Sequence, residues 1–248
     1  MVHPAASAGF ERSADAYDRA RPDYPNAGVD WLWGSLGLIA GDRVVDVGAG
    51  TGRLTGPLAA RGADVVAVEP VAAMRDRLVA AVPAARAVEA TAEALPVAEG
   101  SAAAVVAGQA FHWFANDAAL AEFHRVLRPA GRLGLIWNRR RLDNPLQAAI
   151  SELIDPLRGD TPHYASDAWR AVFEHNEMFS NEAEHELGFV QRLDRAGLVD
   201  RVGSTSFVAA LDGEPREALL ARVAALVDAG GVARLPYVCE AFVYVRRD

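Results

Sequence analysis

The 248-residue chain has one cysteine, Cys239, so no disulfide can form within it and nothing calls for an oxidising compartment. Positive charge is in deficit. Lys and Arg together number 25 against 33 Asp and Glu, a net charge of −8. That balance argues against nucleic acid or an anionic membrane as partner. No apolar run approaches the roughly 18 residues of a membrane span. The opening MVHPAASAGFERSADAYDRA has no apolar h-region, so no signal peptide is read and a cytoplasmic location is expected. Repeats and low-complexity linkers are absent too, which favours one domain over residues 1–248. At 51% hydrophobic and 23% charged, the chain can build a sizeable core. Oligomeric state is not legible.

What is present is an alternation of short apolar strands and helices. Two helical segments, about 12–20 and 26–36, flank RPDYP, where Pro22 and Pro25 break the pattern. Strands are expected at 44–47, 65–69, 86–89, 102–107 and 133–137, with helices at 51–60, 71–82 and 116–127 between them. This order predicts an α/β fold whose parallel sheet is covered on both faces. Asn144-Pro145 reads as an N-cap followed by proline at N1, opening a helix with its apolar stripe at Leu146, Ala149, Ile150, Leu153 and Ile154. A strand over 184–189, helices over 194–202 and 214–229, and a last strand over 238–245 follow. The segments are thus an N-terminal helical lid at 1–40, a cofactor-binding core at 41–138, a helical insertion at 139–182 and C-terminal strands and helices at 183–248.

The stretch RVVDVGAGTGRL carries the chemistry. A strand stops at Gly48, Gly50 and Gly52, so backbone replaces side chains where the next helix exposes its free N–H groups. In an open α/β sheet, ligands bind beyond the carboxyl ends of such strands. Glu69 lies 19 positions beyond Gly50 at the end of the second strand, placed to accept from both hydroxyls of a ribose. The two features together favour a nucleoside. A dinucleotide fingerprint would need glycine at position 53, which is Arg.

The pattern resembles motif I of the class I S-adenosylmethionine-dependent methyltransferases, and the chain is similar to their small "type 11" family. DVGAGTG, Glu69-Pro70 with Met74, ALP at 94–96, GQAFHWF at 108–114, RVLRPAGRL at 125–133 and YDRARPDYP at 17–25 match in order and spacing. The resemblance implies a doubly wound, mostly parallel sheet of seven strands, the last antiparallel. It also implies S-adenosylmethionine as cofactor, S-adenosylhomocysteine as product and a small-molecule acceptor. The backbone of Gly48, Ala49, Gly50 and Thr51 would face the methionyl end, with Asp46 orienting its amino group. Glu69 would take the ribose, and Gln109 would sit near the methionyl group. Pro70 and Met74 would cover adenine, though Met74 could equally be core. The family places Asp where Thr91 stands, so adenine contact passes to Thr91, Ala92 or Glu93. Tyr17 and Arg21 would be the lid residues, Arg21 either facing the methionyl carboxylate or lying as a surface arginine.

Acceptor-side residues are read at the same sheet edge. His112 is either a general base or a packed histidine, and Trp113 either stacks on substrate or joins the core. Arg139, Arg140 and Arg141 are either a solvated run or a clamp for a carboxylate-bearing substrate, and some relatives in this family methylate small carboxylic acids. No metal site is read. A nicotinamide-dependent oxidoreductase and a catalytically silent nucleoside-binding protein are the competing expectations.

Overall fold

A computed structural model of the chain describes residues 20–248. The expected helix at 12–20 and Tyr17 therefore lie outside the described residues. Seven strands form one sheet: β1 (Arg43–Val47), β2 (Asp64–Val68), β3 (Arg86–Val88), β4 (Ala102–Gly108), β5 (Leu127–Arg140), β6 (Phe179–Leu193) and β7 (Ala233–Arg246). Their order is β3-β2-β1-β4-β5-β7-β6. Pairings among β1 to β5 are parallel, and β7 runs antiparallel to both neighbours. Strand order reverses between β1 and β4, which fixes where a ligand crevice opens.

Side chains alternate across the sheet, as a period of two requires. Val45, Val66, Val105 and Leu135 enter one core. Val44, Val65, Val106 and Ile136 enter the other. The first core is covered by helix α4 (Asp117–Val126), through Leu120 and Phe123. On the second lie α1 (Asn26–Ser35) and α2 (Thr55–Ala60), through Val29, Leu32 and Leu58. Helix α3 (Ala72–Ala81) links β2 to β3. A third apolar cluster joins α5 (Pro145–Ile154), α6 (Arg195–Gly203), α7 (Gly213–Ala224) and the start of β7. Ile150, Ile154, Val202 and Leu235 of that cluster also face a cavity beyond the strand ends.

Several boundaries differ from expectation. The helix expected from 51 starts at Thr55. Gly50 and Gly52 hold φ of 58° and 91°, which an α-helix does not admit, so the turn is longer. β5 continues from 137 to Arg140, and β6 spans 15 residues rather than six. The insertion therefore begins after Arg140 and ends before Phe179. Its short helical turns are pinned to the sheet by aromatics. The Trp137 ring stacks on Tyr164 at 4.6 Å and meets Trp169 at 4.7 Å. The last long helix stops at Ala224, five residues short of its expected end.

Candidate active site

The glycine turn follows β1. Gly48, Gly50 and Gly52 all have positive φ, so each is required by backbone conformation. Their surroundings separate them. A Cβ on Gly48 would lie 2.7 Å from that of Ala110, and one on Gly52 3.0 Å from Val82. One on Gly50 would meet nothing within 4 Å. Gly48 and Gly52 thus serve packing as well as conformation, whereas Gly50 faces open space.

Two buried carboxylates stand at this turn. Glu69 accepts the Gly50 N–H at 2.8 Å and the Val71 N–H at 2.8 Å, one on each oxygen. Each oxygen keeps a further lone pair. Asp46 accepts from the Thr55 hydroxyl at 2.6 Å through Oδ2, while Oδ1 is buried without a partner. Burial, with Glu69 adding repulsion, pushes the Asp46 carboxyl up to about 7. Burial also raises Glu69, against the two backbone N–H groups. Two buried acids, one raised by the other and left with an unpartnered oxygen, suit a cation. They disfavour the pyrophosphate of a dinucleotide. The Thr51 hydroxyl is likewise buried and unpartnered. The residues present therefore fit a cationic nucleoside.

Around this centre, Pro70 is partly exposed beside Glu69, and Met74 is only 2% exposed. Thr91 pairs with Ala94 in an isolated bridge, and Ala92 is buried. The Glu93 carboxylate accepts from Asn116 at 3.1 Å. Partial burial raises its pKa, but bonds from Asn116 and Thr91 outweigh that and hold it low. The segment entering from RPDYP is tied to the turn by an Arg53–Asp23 ion pair. Tyr24 packs on Gly108, whose added Cβ would lie 2.6 Å from the tyrosine oxygen. Arg53 and Tyr24, which line the cleft at the turn, were not among the site residues expected from the sequence.

Gln109 and Arg21 line both that cleft and a neighbouring cavity of about 200 Å³. Gln109 has φ of 57°, a conformation rare outside glycine and tolerated where the surroundings enforce it. Here its backbone N–H donates to Ile136 and its side chain to the Asn138 carbonyl at 3.2 Å. Arg21 donates to the hydroxyl and carbonyl of Ser204, just past the end of α6. In the cavity wall, the Trp137 indole donates to His112 Nδ1 at 3.4 Å, so the neutral ring carries its proton on Nε2. Burial first, then the neighbouring His163 and Arg21, push His112 down to about 3. Trp113 also lines the cavity, its ring 5.3 Å from that of His112.

The chain contains no lysine, so all 25 of its Lys and Arg positions are arginine. Five arginines line the cavity: 21, 139, 140, 158 and 201. Arg139 pairs with Glu240 at 2.7 Å, and Arg140 with Asp155 at 3.3 Å. Arg141, third of the run, pairs with exposed Asp143 and is not a lining residue. Arg158, His163, Arg201 and Tyr237 were not foreseen. Arg158 carries a local hint, its spacing of three from Asp155. Arg201 and Tyr237 meet the cavity only through tertiary folding. No group of three or more His, Cys, Asp or Glu suited to a metal occurs among the described residues. None of their helices is long and apolar enough to cross a membrane.

A family profile described as "Methyltransferase domain" matches residues 45–135, from β1 into β5. An uncharacterized methyltransferase of Mycobacterium tuberculosis is 39% identical over 243 residues, covering 94% of this chain and 93% of that protein. The chain belongs to the class I, type 11 methyltransferase family. A malonyl-[acyl-carrier protein] O-methyltransferase of Laribacter hongkongensis is 40% identical over 144 residues, covering 51% of this chain and 48% of that one. Among solved structures, a candidate type II methyltransferase from Anaeromyxobacter dehalogenans superposes with TM-score 0.68 at 24% identity, over 92% and 97% of the two chains. A geranyl diphosphate methyltransferase in complex with SAM gives 0.53 at 19%, over 90% and 85%. At those identities the likeness is one of fold, and the strand order agrees with it.

Proposed function

We propose that this methyltransferase moves a methyl group from S-adenosylmethionine to a small, carboxylate-bearing molecule seated in the 200 Å³ cavity. The observation that carries the cofactor is the buried, half-unpartnered Asp46 beside Glu69 and the open side of Gly50. Bound there, S-adenosylmethionine would supply a methyl group on a cationic sulfonium. Asp46 would hold its ammonium, the backbone of Gly48, Ala49, Gly50 and Thr51 its methionyl end, and Glu69 its ribose. Pro70 would flank the adenine with Met74 beneath, and Thr91, Ala92 and Glu93 would meet its edge. Arg21 and Gln109 stand where the two spaces meet, so Arg21 could leave Ser204 for the methionyl carboxylate and act as a lid residue. Tyr17 would belong to the same lid.

The acceptor class rests on the arginines of the cavity. The malonyl O-methyltransferase relative, named for methylating a malonyl group, supports the same reading. A carboxylate arrives ionised, so no residue has to remove a proton before its oxygen attacks. The wall suits this. His112 is too weak a base at about 3 and presents Nε2–H, so we assign it a donor role toward the acceptor rather than that of a base. Trp113 would bound the acceptor from the same turn, and Arg139 and Arg140 would supply positive field. Most of the rate would come from holding oxygen and methyl in line.

The first test is a melt with S-adenosylhomocysteine. Ligand at about 100 times its Kd should add about 2.7 kcal/mol. For a chain of this length that is a rise on the order of 5–10 °C. Glu69→Gln, which replaces an ionised acceptor by a neutral amide, should weaken binding at least tenfold, since hydrogen bonds to charged groups contribute about 1.5–3 kcal/mol. No shift in the melt, with no heat in a titration, would overturn the cofactor assignment.

A further inference from the structure

One end of the cavity holds more positive charge than the described residues balance. Arg140 and Arg158 share a single carboxylate, that of Asp155. Arg201 lies close enough to Arg140 to repel it, and no ion pair of Arg201 occurs among the described residues. Its own Nε–H goes to the Tyr237 hydroxyl at 3.1 Å. Three guanidiniums against one carboxylate leave this end, among the described residues, with a surplus of two positive charges.

The hydrogen bonds are short of acceptors in the same place. Arg158 Nη1 lies 3.2 Å from His163 Nε2. Arginine can only donate, so His163 Nε2 accepts and the neutral ring carries its proton on Nδ1. That Nδ1, Arg140 Nη1 and Arg158 Nε are all buried with no partner. Three buried N–H donors without acceptors in one spot are costly unless something completes them. A purely structural cross-link would not leave them so. Two oxygens of one anionic group would accept from several at once.

Position makes this a second subsite rather than the transfer site. Methyl transfer belongs where the cavity meets the glycine-turn cleft, at Gln109 beside Asn138. Arg140 stands two residues further along β5, about 7 Å by strand rise. A small molecule with one anionic group at Gln109 and another at Arg140 would bridge the two.

Resting on the reading above, we infer that the acceptor carries two anionic groups, and that Arg140, Arg158, Arg201 and His163 hold the distal one while the proximal carboxylate takes the methyl. The distal group is an anionic oxygen group, carboxylate or phosphoryl. Its clamp selects dianions over monoanions and directs methylation to one end only.

The test compares linear monocarboxylates, α,ω-dicarboxylates and phosphonocarboxylates of matched length. Calorimetry on the protein saturated with S-adenosylhomocysteine reads binding, and S-adenosylhomocysteine release reads turnover. Dicarboxylates or phosphonocarboxylates should bind at least tenfold tighter than monocarboxylates, and whichever dianion binds better identifies the distal group. Arg201→Gln and, separately, Arg158→Gln should cut that preference to under threefold. Equal binding of mono- and dianions, or variants that weaken both in proportion, would overturn the subsite. Selective dianion binding without methyl transfer would keep the subsite and overturn the acceptor assignment. Binding of neither class would overturn both.

Discussion

At the residue scale, Asp46 has a measurable signature. Burial first, then Glu69, raises its carboxyl from 3.8 to about 7, against the Thr55 hydrogen bond. Below pH 3.8 folded and unfolded chains both hold the proton. Between 3.8 and about 7 the unfolded chain has lost a proton that the fold retains, so this group makes stability fall as pH rises; above 7 the loss is constant. Asp46→Asn should therefore lose less melting temperature than wild type from pH 4 to 7, and bind S-adenosylhomocysteine more weakly. Equal slopes in scanning calorimetry would mean the carboxylate is ionised throughout. His112 makes the opposite kind of prediction. Held near 3, it should contribute no limb to kcat/KM between pH 5 and 9. A limb near 6.5 that disappears in His112→Gln would restore it as a base. Asp46, Gly50 and Glu69 were legible because strand, turn and carboxylate are fixed by spacing within 24 residues of sequence. The guanidiniums of Arg158 and Arg201 were not, because only the folded chain gathers them.

At the element scale, one side chain joins two structures. Asn116 caps α4 by accepting the Ala119 N–H at 2.9 Å, and its amide donates to Glu93. Asn116→Ala should cost about 1 kcal/mol through the cap. That is a fall of about 2–4 °C in melting temperature. It should also loosen S-adenosylhomocysteine, because Glu93 loses the bond that orients it. Asn116→Asp keeps the cap but not the amide. It should recover stability without recovering affinity, and recovery of both would detach Glu93 from adenine. The caps at Asn116 and Asn144 were readable because they depend on adjacent residues. The true length of β6 was not. SNEAEHELGFVQRL is mostly half-exposed or exposed, and its charges protect a sheet edge rather than mark a core strand. β5 was underestimated at both ends. Arg128-Pro129-Ala130 departs from strand propensity, and Asn138 to Arg140 carries polar side chains into the cavity.

At the scale of the whole molecule, the alternation of strands and helices made the doubly wound sheet legible, and the family resemblance supplied its antiparallel last strand. The cavity beyond the strand ends was far less so. It is assembled from β5, the insertion, α6 and β7, and its ties are long: Arg139 and Glu240 are 101 residues apart. Sequence periodicity reports what a segment buries, not which distant segment it meets. The position of β7 also sets an order in time. β7, made after the other six strands of this sheet, lies between β5 and β6, so β6 has no sheet to join until it arrives. Strands β1 to β5 can close on partners already made, and long-range pairing is the slow part of folding. In pulse-labelled exchange during refolding, amides of β1, β2 and β4 should gain protection before those of β6 and β7, and simultaneous protection would contradict this. A nascent chain would then shape the glycine-turn cleft first and complete the larger cavity only when β7 slides into the gap.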